Sequence, residues 1–246
     1  MHATLHKWGL PWAGAKQGPL PTLLLALTVV TGIVDAVSYI ALGHVFVANM
    51  TGNIVFLGFA LAGASGLSAP ASLAALGAFL LGALAGGRIA QRCEQHRGRH
   101  LRTAAAIAVL PLMLAAALAA PIGQPVSEGA RYALIVPLGI AMGIQNSTAR
   151  RLAVPDLTTT VLTLTLTGVA ADSRLAGGAG GHSAQRLLSV MAMFIGALIG
   201  ALLVINVDLV LPLGIAALMM ATSAFAAHRL STEASAEWAQ RPKPHY

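Results

Sequence analysis

Asp35 is the residue with the most chemistry to offer. It lies about 13 residues into the first apolar block, roughly 20 Å along a helix at 1.5 Å per residue. A charge at that depth costs at least about 2.5–3.5 kcal/mol, so its carboxyl must face protein or water. Two roles fit it. It could take up and release a proton and so couple transport to protons. It could instead be a hydrogen-bond hub that holds a broken segment, with Ser38, Thr51 or Asn53 as partners. His44 follows nine residues later, as a protonatable neighbour or an interfacial histidine.

Further polar groups enter apolar sequence at two places. Asn49, Thr51 and Asn53 stand among apolar neighbours in VANMTGN, and Pro155, Asp156, Thr158, Thr159 and Thr160 take the corresponding place later. Irregular backbone at membrane depth survives only where protein or water satisfies its N–H and C=O groups. Breaks are expected at Gly52 and Pro155. A helix starting after a break points free N–H groups and a positive dipole end into the bilayer. Asn49 or Thr51, and Asp156 or Thr158, can cap such starts. Two such ends meeting near the midplane would form a dipole-lined translocation site from Asp35, Asn49, Thr51, Asn53, Asn146, Asp156 and Thr158. The plainer reading makes these residues ordinary caps and interhelix bonds, with Thr bonding back to its own helix.

The elements that must position these groups come in two copies. Gly32-Ile33-Val34-Asp35 matches Gly143-Ile144-Gln145-Asn146, which pairs Asp35 with Asn146. VANMTGNIV at Val47–Val55 matches VPDLTTTVL at Val154–Leu162, and FLLGALAG at Phe79–Gly86 matches MFIGALIG at Met193–Gly200. VLPLMLAA at Val109–Ala116 matches VLPLGIAA at Val210–Ala217, which sets Pro111 against Pro212 as expected kinks. The four matches keep one order, so the chain reads as a duplication. Gly82/Gly86 and Gly196/Gly200 give each copy a GxxxG, whose expected role is close helix packing, with oligomer contact the other option.

With 57% apolar residues, 9% charged and a mean hydropathy of +0.76, most of the surface must lie in lipid. Eight apolar segments are visible: Thr22–Leu42, Val45–Ala64, Ala71–Gly87, Thr103–Ala120, Tyr132–Ser147, Leu157–Ala171, Leu187–Ile205 and Leu209–Ala227. The expected organisation is a flexible lead over 1–19, a first membrane repeat over 20–121, a second over 130–229 and a polar tail over 230–246. The net charge of +7 is read as topogenic Lys and Arg, not as a nucleic-acid surface. The single cysteine, Cys93, has no partner for an internal disulfide.

Charge separates two topologies. If all eight segments cross, seven basic residues fall inside and eight outside, which is no bias. If Val45–Ala64 and the segment ending at Ala171 dip in and return, only Arg131 is outside and the other fourteen of fifteen are inside, with both termini. Three spans plus one re-entrant segment per copy is an odd number of crossings, so the second copy must be inverted. Equivalent loops bear this out in charge: five Arg follow the third segment of the first copy, and none follows its counterpart at Asn206–Asp208. The expected fold is thus all-α and polytopic: two inverted repeats, each of three spans and one re-entrant or broken helix. Eight spans in parallel repeats is the alternative.

The run TGIVDAVSYIALGHVFVANMTGNIVFLGFALA at Thr31–Ala62, with the later GxxNS at Gly143–Ser147, resembles the signature of the YoaK family of bacterial membrane proteins. The resemblance extends over Leu20 to Arg229. It implies a multi-pass protein of the bacterial inner membrane, and supplies no substrate or catalytic residue. No HExxH, paired aspartates or Ser-His-Asp spacing is present, so no enzyme is expected, and no metal or cofactor. The expected function is a transporter or channel for a small solute, with a membrane scaffold or assembly protein as the alternative. Its expected partners are the lipid bilayer, a small solute or proton, and a second copy in a homo-oligomer.

Overall fold

A computed structural model describes residues 17–93, 96–155, 157, 162–178, 183–232 and 237–240. Among these the chain forms eight α-helices and no strand. They are α1 (Leu20–Ala41), α2 (Met50–Leu61), α3 (Ala69–Arg92), α4 (Arg97–Ala119), α5 (Glu128–Leu152), α6 (Leu162–Ala171), α7 (Ser183–Asn206) and α8 (Val210–Ser231). Five of these, α1, α3, α4, α7 and α8, are long and apolar enough to cross a bilayer. Helix α5 is as long, with 25 residues, but carries Glu128, Arg131, Arg150 and Arg151 near its ends. Leu80, Leu81, Leu84, Leu202 and Ile205 face outward at more than half exposure, which is where lipid chains would lie.

Helix α2 has 12 residues and the described part of α6 has 10, so at about 1.5 Å per residue neither reaches across some 30 Å of hydrocarbon. Length did not decide the matter for Val45–Ala64 as a sequence. The structure shortens it because Val45–Asn49 is not helical.

The packing is exchanged between the two copies. Helix α1 packs on α7, and α3 packs on α5. Close approach at glycine makes both seams. A Cβ at Gly196 would fall 2.2 Å from the Val29 carbonyl oxygen, and one at Gly82 would fall 2.1 Å from that of Ile140. One at Gly32 would fall 2.4 Å from the Met193 oxygen, and one at Gly143 would fall 2.1 Å from that of Phe79. These pairs are the ones the string matches equate. The GxxxG motifs are therefore interhelix seams, as small residues permit. The remaining contacts also come in mates: α4 on α5 with α8 on α1, α2 on α3 with α6 on α7, α3 on α4 with α7 on α8. The contacts α1 on α5 and α4 on α8 are their own mates.

Helix direction follows from the same contacts. Val29 meets Gly196 and Ile33 meets Gly200, so α1 and α7 run the same way. By the same test α3 runs with α5. Helices α4 and α8 run oppositely, since Gly98 meets Ser231 and Arg102 meets His228. One repeat match does not survive as an equivalence of position. Pro111 lies inside α4, while Pro212 sits in the first turn of α8, where proline removes no helix hydrogen bond. Pro212 is thus not a kink. Helix α4 starts at Arg97, ahead of the apolar block, with Arg97, Gly98, His100 and Leu101 all buried.

Candidate functional site

The turn after α1 sets the first constellation. The helix ends at Ala41, and Gly43 (φ +92°) and His44 (φ +57°) take left-handed conformations that reverse the chain. Val45, Val47 and Ala48 are then folded back into the core at 1, 0 and 2% exposure. Their backbone N–H groups leave water and need acceptors. Asp35 supplies two of them. Its Oδ1 accepts from Val47 N at 3.0 Å and Ala48 N at 2.9 Å, and its Oδ2 accepts from the Asn49 side chain. A buried carboxylate is tolerated when donors surround it, and charge-assisted bonds of this kind are the stronger ones.

Asn53 completes the knot. It is fully buried in the first turn of α2 and binds Phe46 on both sides, accepting from Phe46 N at 2.8 Å and donating to Phe46 O. Of the two roles open to Asp35, these bonds are those of a hub, with partners other than the ones named from the sequence. Ser38 donates to the Asp35 backbone oxygen rather than to its carboxyl, and Asn53 serves Phe46. Thr51 is exposed on α2. Asn49 occupies the N-cap position yet makes no capping bond, because its side chain is committed to Asp35. Gly52 is not the break. It lies within α2 against the Phe46 ring, with the irregular backbone ahead of it at 42–49.

The second copy is seen in part. Asn146 donates to its own helix at Met142 O, 2.9 Å. Pro155 is exposed, in the non-helical stretch after α5, and its carbonyl accepts from Gln185 at 2.8 Å. Asp156 and Thr158, with Thr159 and Thr160, lie outside the described residues. The structure brings Asp35, Asn49 and Asn53 together within the first half. The short helices α2 and α6 pack on α3 and α7. The expected meeting of two helix starts involves Asp156 and residues 158–161, which lie outside the described residues. Both short helices carry exposed apolar residues (Ile54 61%, Phe59 51%, Leu164 71%).

The centre of the four axial helices holds a different polar group. Gln145 on α5 is 3% exposed, and its Nε2 donates to Leu27 O at 3.0 Å and Thr31 Oγ1 at 2.7 Å. Its Oε1 is buried without a hydrogen-bond partner. Turning the amide over would set Oε1 against the Leu27 carbonyl, so the orientation is fixed. A cavity of about 10 Å³ lies nearby, its surface formed by apolar atoms of Leu27, Leu101, Ala105, Gln145, Thr148 and Met220. Gln145 sits inside the repeated string, one residue before Asn146. Reading it as polar at a helix position buried by its neighbours would have found it.

Asp35 and Arg97 bracket this centre. Asp35 is one helical turn beyond Thr31 on the same side of α1. Arg97 is one turn before Leu101 on α4, 7% exposed, donating to Gln17 Oε1 at 2.8 Å and to Leu152 O at 2.9 Å. At that end Trp238 is 8% exposed and lies against Gly18 and Gly98, where a Cβ would fall 2.4 and 3.2 Å from it. Part of the polar tail is thus packed onto the lead and the start of α4.

Among the described residues no cluster of three or more His, Cys, Asp or Glu could hold a metal ion. No solved structure matches this chain. The UPF0700 transmembrane protein YoaK of Bacillus subtilis (strain 168) is 35% identical over 157 residues, which cover 61% of this chain and 66% of that protein. A family model described as "Protein of unknown function (DUF1275)" matches residues 23–226. The knot that Asp35 ties, the exchanged glycine seams and the central Gln145 all fall inside that span, and the chain belongs to the DUF1275 family of integral membrane proteins.

Proposed function

We propose that this protein is a transporter or channel for a small solute, with its pathway along the pseudo-two-fold axis between α1, α4, α5 and α8. The observation that carries this is the exchanged packing. Each copy lends a helix to the other, so the halves meet over a symmetric seam around a central polar group, the plan on which alternating access by rocking rests. In this reading the copies are inverted and six helices cross. The opposed directions of α4 and α8 support it, because eight parallel crossings would send those two the same way. The lead and tail meeting Arg97 support it too, since eight crossings would put them across the membrane from the Arg-rich loop. Both termini are then cytoplasmic in a bacterial inner membrane. The protein catalyses no covalent reaction, and Asp35 closes the outer end of the path by holding Val45–Asn49 in place.

The full-length protein in liposomes should raise the flux of at least one of water, urea, formate or K⁺ above protein-free vesicles. One observation favours the scaffold reading: the Asp35 carboxylate is committed to its own loop, as structural carboxylates are. If Asp35→Asn lowers the melting temperature and no probe crosses faster than through bare lipid, the scaffold reading stands and transport falls.

A further inference from the structure

We propose that the Arg-rich end of the α4–α8 pair is a binding site for an anionic phospholipid headgroup. The site does not depend on transport and goes beyond that reading. Helices α4 and α8 run oppositely, so the start of one lies beside the end of the other. There Arg102 Nη1 donates to His228 Nδ1 at 2.8 Å. Arg99, one turn earlier on α4, donates to the carbonyl of Arg92 at the end of α3, at 3.0 Å. Arg229 follows His228, and its guanidinium lies 5.8 Å from the centre of the Phe225 ring. Basic side chains from three helix ends are thus drawn to one place.

Arginines that only set topology would each reach water separately. These are gathered instead, where like charges repel. Arg99 also stands in the first turn of α4, where the helix dipole disfavours a cation. None of Arg99, Arg102 and Arg229 meets a carboxylate among the described residues. Glu94 and Glu233 lie outside those residues, but 88–102 and 228–246 together hold eight Lys and Arg against three Glu, so the charge stays positive. A phosphate offsets the repulsion, and guanidinium forks suit its oxygens. What lies beyond the charges favours a lipid over free phosphate. Leu218 and Phe225 share one face of α8 with Arg229, and each is 64% exposed. Leu218 precedes Arg229 by eleven residues, about 16 Å, close to the roughly 15 Å of one leaflet's hydrocarbon. On α4, Leu110 and Met113 stand the same eleven residues from Arg99 and Arg102, and both are more than half exposed. A headgroup at the arginines therefore lays its acyl chains along these apolar residues.

The test incubates the full chain in detergent with equal amounts of phosphatidylglycerol and phosphatidylcholine and counts retained lipids by native mass spectrometry. The anionic lipid should be retained about tenfold over the zwitterionic one. Arg102→Ala and Arg229→Ala should each lower that preference about fivefold. Arg150→Ala removes one charge from the exposed end of α5 and should leave it unchanged. Circular dichroism checks that each variant is folded. Arg229→Ala gives up a ring contact and no hydrogen bond among the described residues, so it still reads the site if Arg102→Ala fails to fold. Equal retention of both lipids overturns the proposal. So does a preference that folded Arg102→Ala and Arg229→Ala both keep, or an equal loss in Arg150→Ala, which reports net charge and not a site. Displacement of the lipid by excess inorganic phosphate assigns the arginines to a free anion and overturns the lipid as occupant. None of these outcomes bears on solute flux, so the transport reading stands or falls separately.

Discussion

The carboxyl of Asp35 and the amide of Asn49 form a pair whose donor and acceptor roles can be exchanged. Asp35→Asn would keep an acceptor for Val47 N and Ala48 N but would turn an amide NH₂ toward that of Asn49. Two donors then face each other in a buried place, and a loss of about 1–3 kcal/mol is expected. Adding Asn49→Asp restores an acceptor, so the double variant should melt closer to wild type than Asp35→Asn alone. Melting in detergent, read by circular dichroism, checks this. Asn53→Leu is near in size but removes both bonds to Phe46, and leaves that residue's buried backbone groups unpaired. It should cost at least as much, by the same measurement. The sequence showed that the Asp35 carboxyl had to face protein or water. It could not show by which groups, because the donors are backbone N–H groups whose placement depends on the turn at Gly43 and His44. Backbone donors carry no side-chain signature.

Helix seams make predictions that adjacent glycines can separate. A Cβ at Gly86 would fall 2.0 Å from Ser147 Oγ and 3.0 Å from Ile144 O, whereas nothing lies within 4 Å of one at Gly87. Gly87→Ala should therefore be neutral or stabilise by up to about 1 kcal/mol through helix propensity. Gly86→Ala forces α3 and α5 apart and should destabilise by about 1–3 kcal/mol. Gly82→Ala and Gly196→Ala should have similar large effects, because they occupy equivalent positions in the two seams. Unequal losses in thermal melts of this set would break the equivalence. The glycine motifs were legible as packing sites in the sequence. Which helix they packed on was not, because each seam joins elements from different copies. The start of α4 was missed for a related reason: Arg97 looks like loop until its partners, Gln17 Oε1 and Leu152 O, are known.

For the whole molecule, the proposed arrangement is inverted repeats with six crossings. The charge count favours six crossings, and α4 and α8 run oppositely, as that proposal requires. In the Cys93→Ser background, a cysteine at Gly66, between α2 and α3, should react with a membrane-impermeant thiol reagent added outside intact cells. A fluorescent reporter after Tyr246 should be cytoplasmic. A label at Gly66 only after the membrane is opened would sink the inverted arrangement. The duplication was legible because strings repeat. The central Gln145 was not singled out, because its counterpart in the first copy, Val34, is apolar and the pair therefore looks like divergence rather than a site. The exchanged seams also govern how the protein can be made. Helix α1 leaves the ribosome first, yet its mate α7 emerges only after five other helices have been synthesised. Gly32 must wait in lipid with its packing face uncovered, and so must the α3 face until α5 arrives. A first half released alone would hold two helices without mates, and a second half likewise, so neither fragment should accumulate by itself. Co-expressed from separate messages, the two should find each other and protect one another from proteolysis, because each carries the missing half of the other's seams.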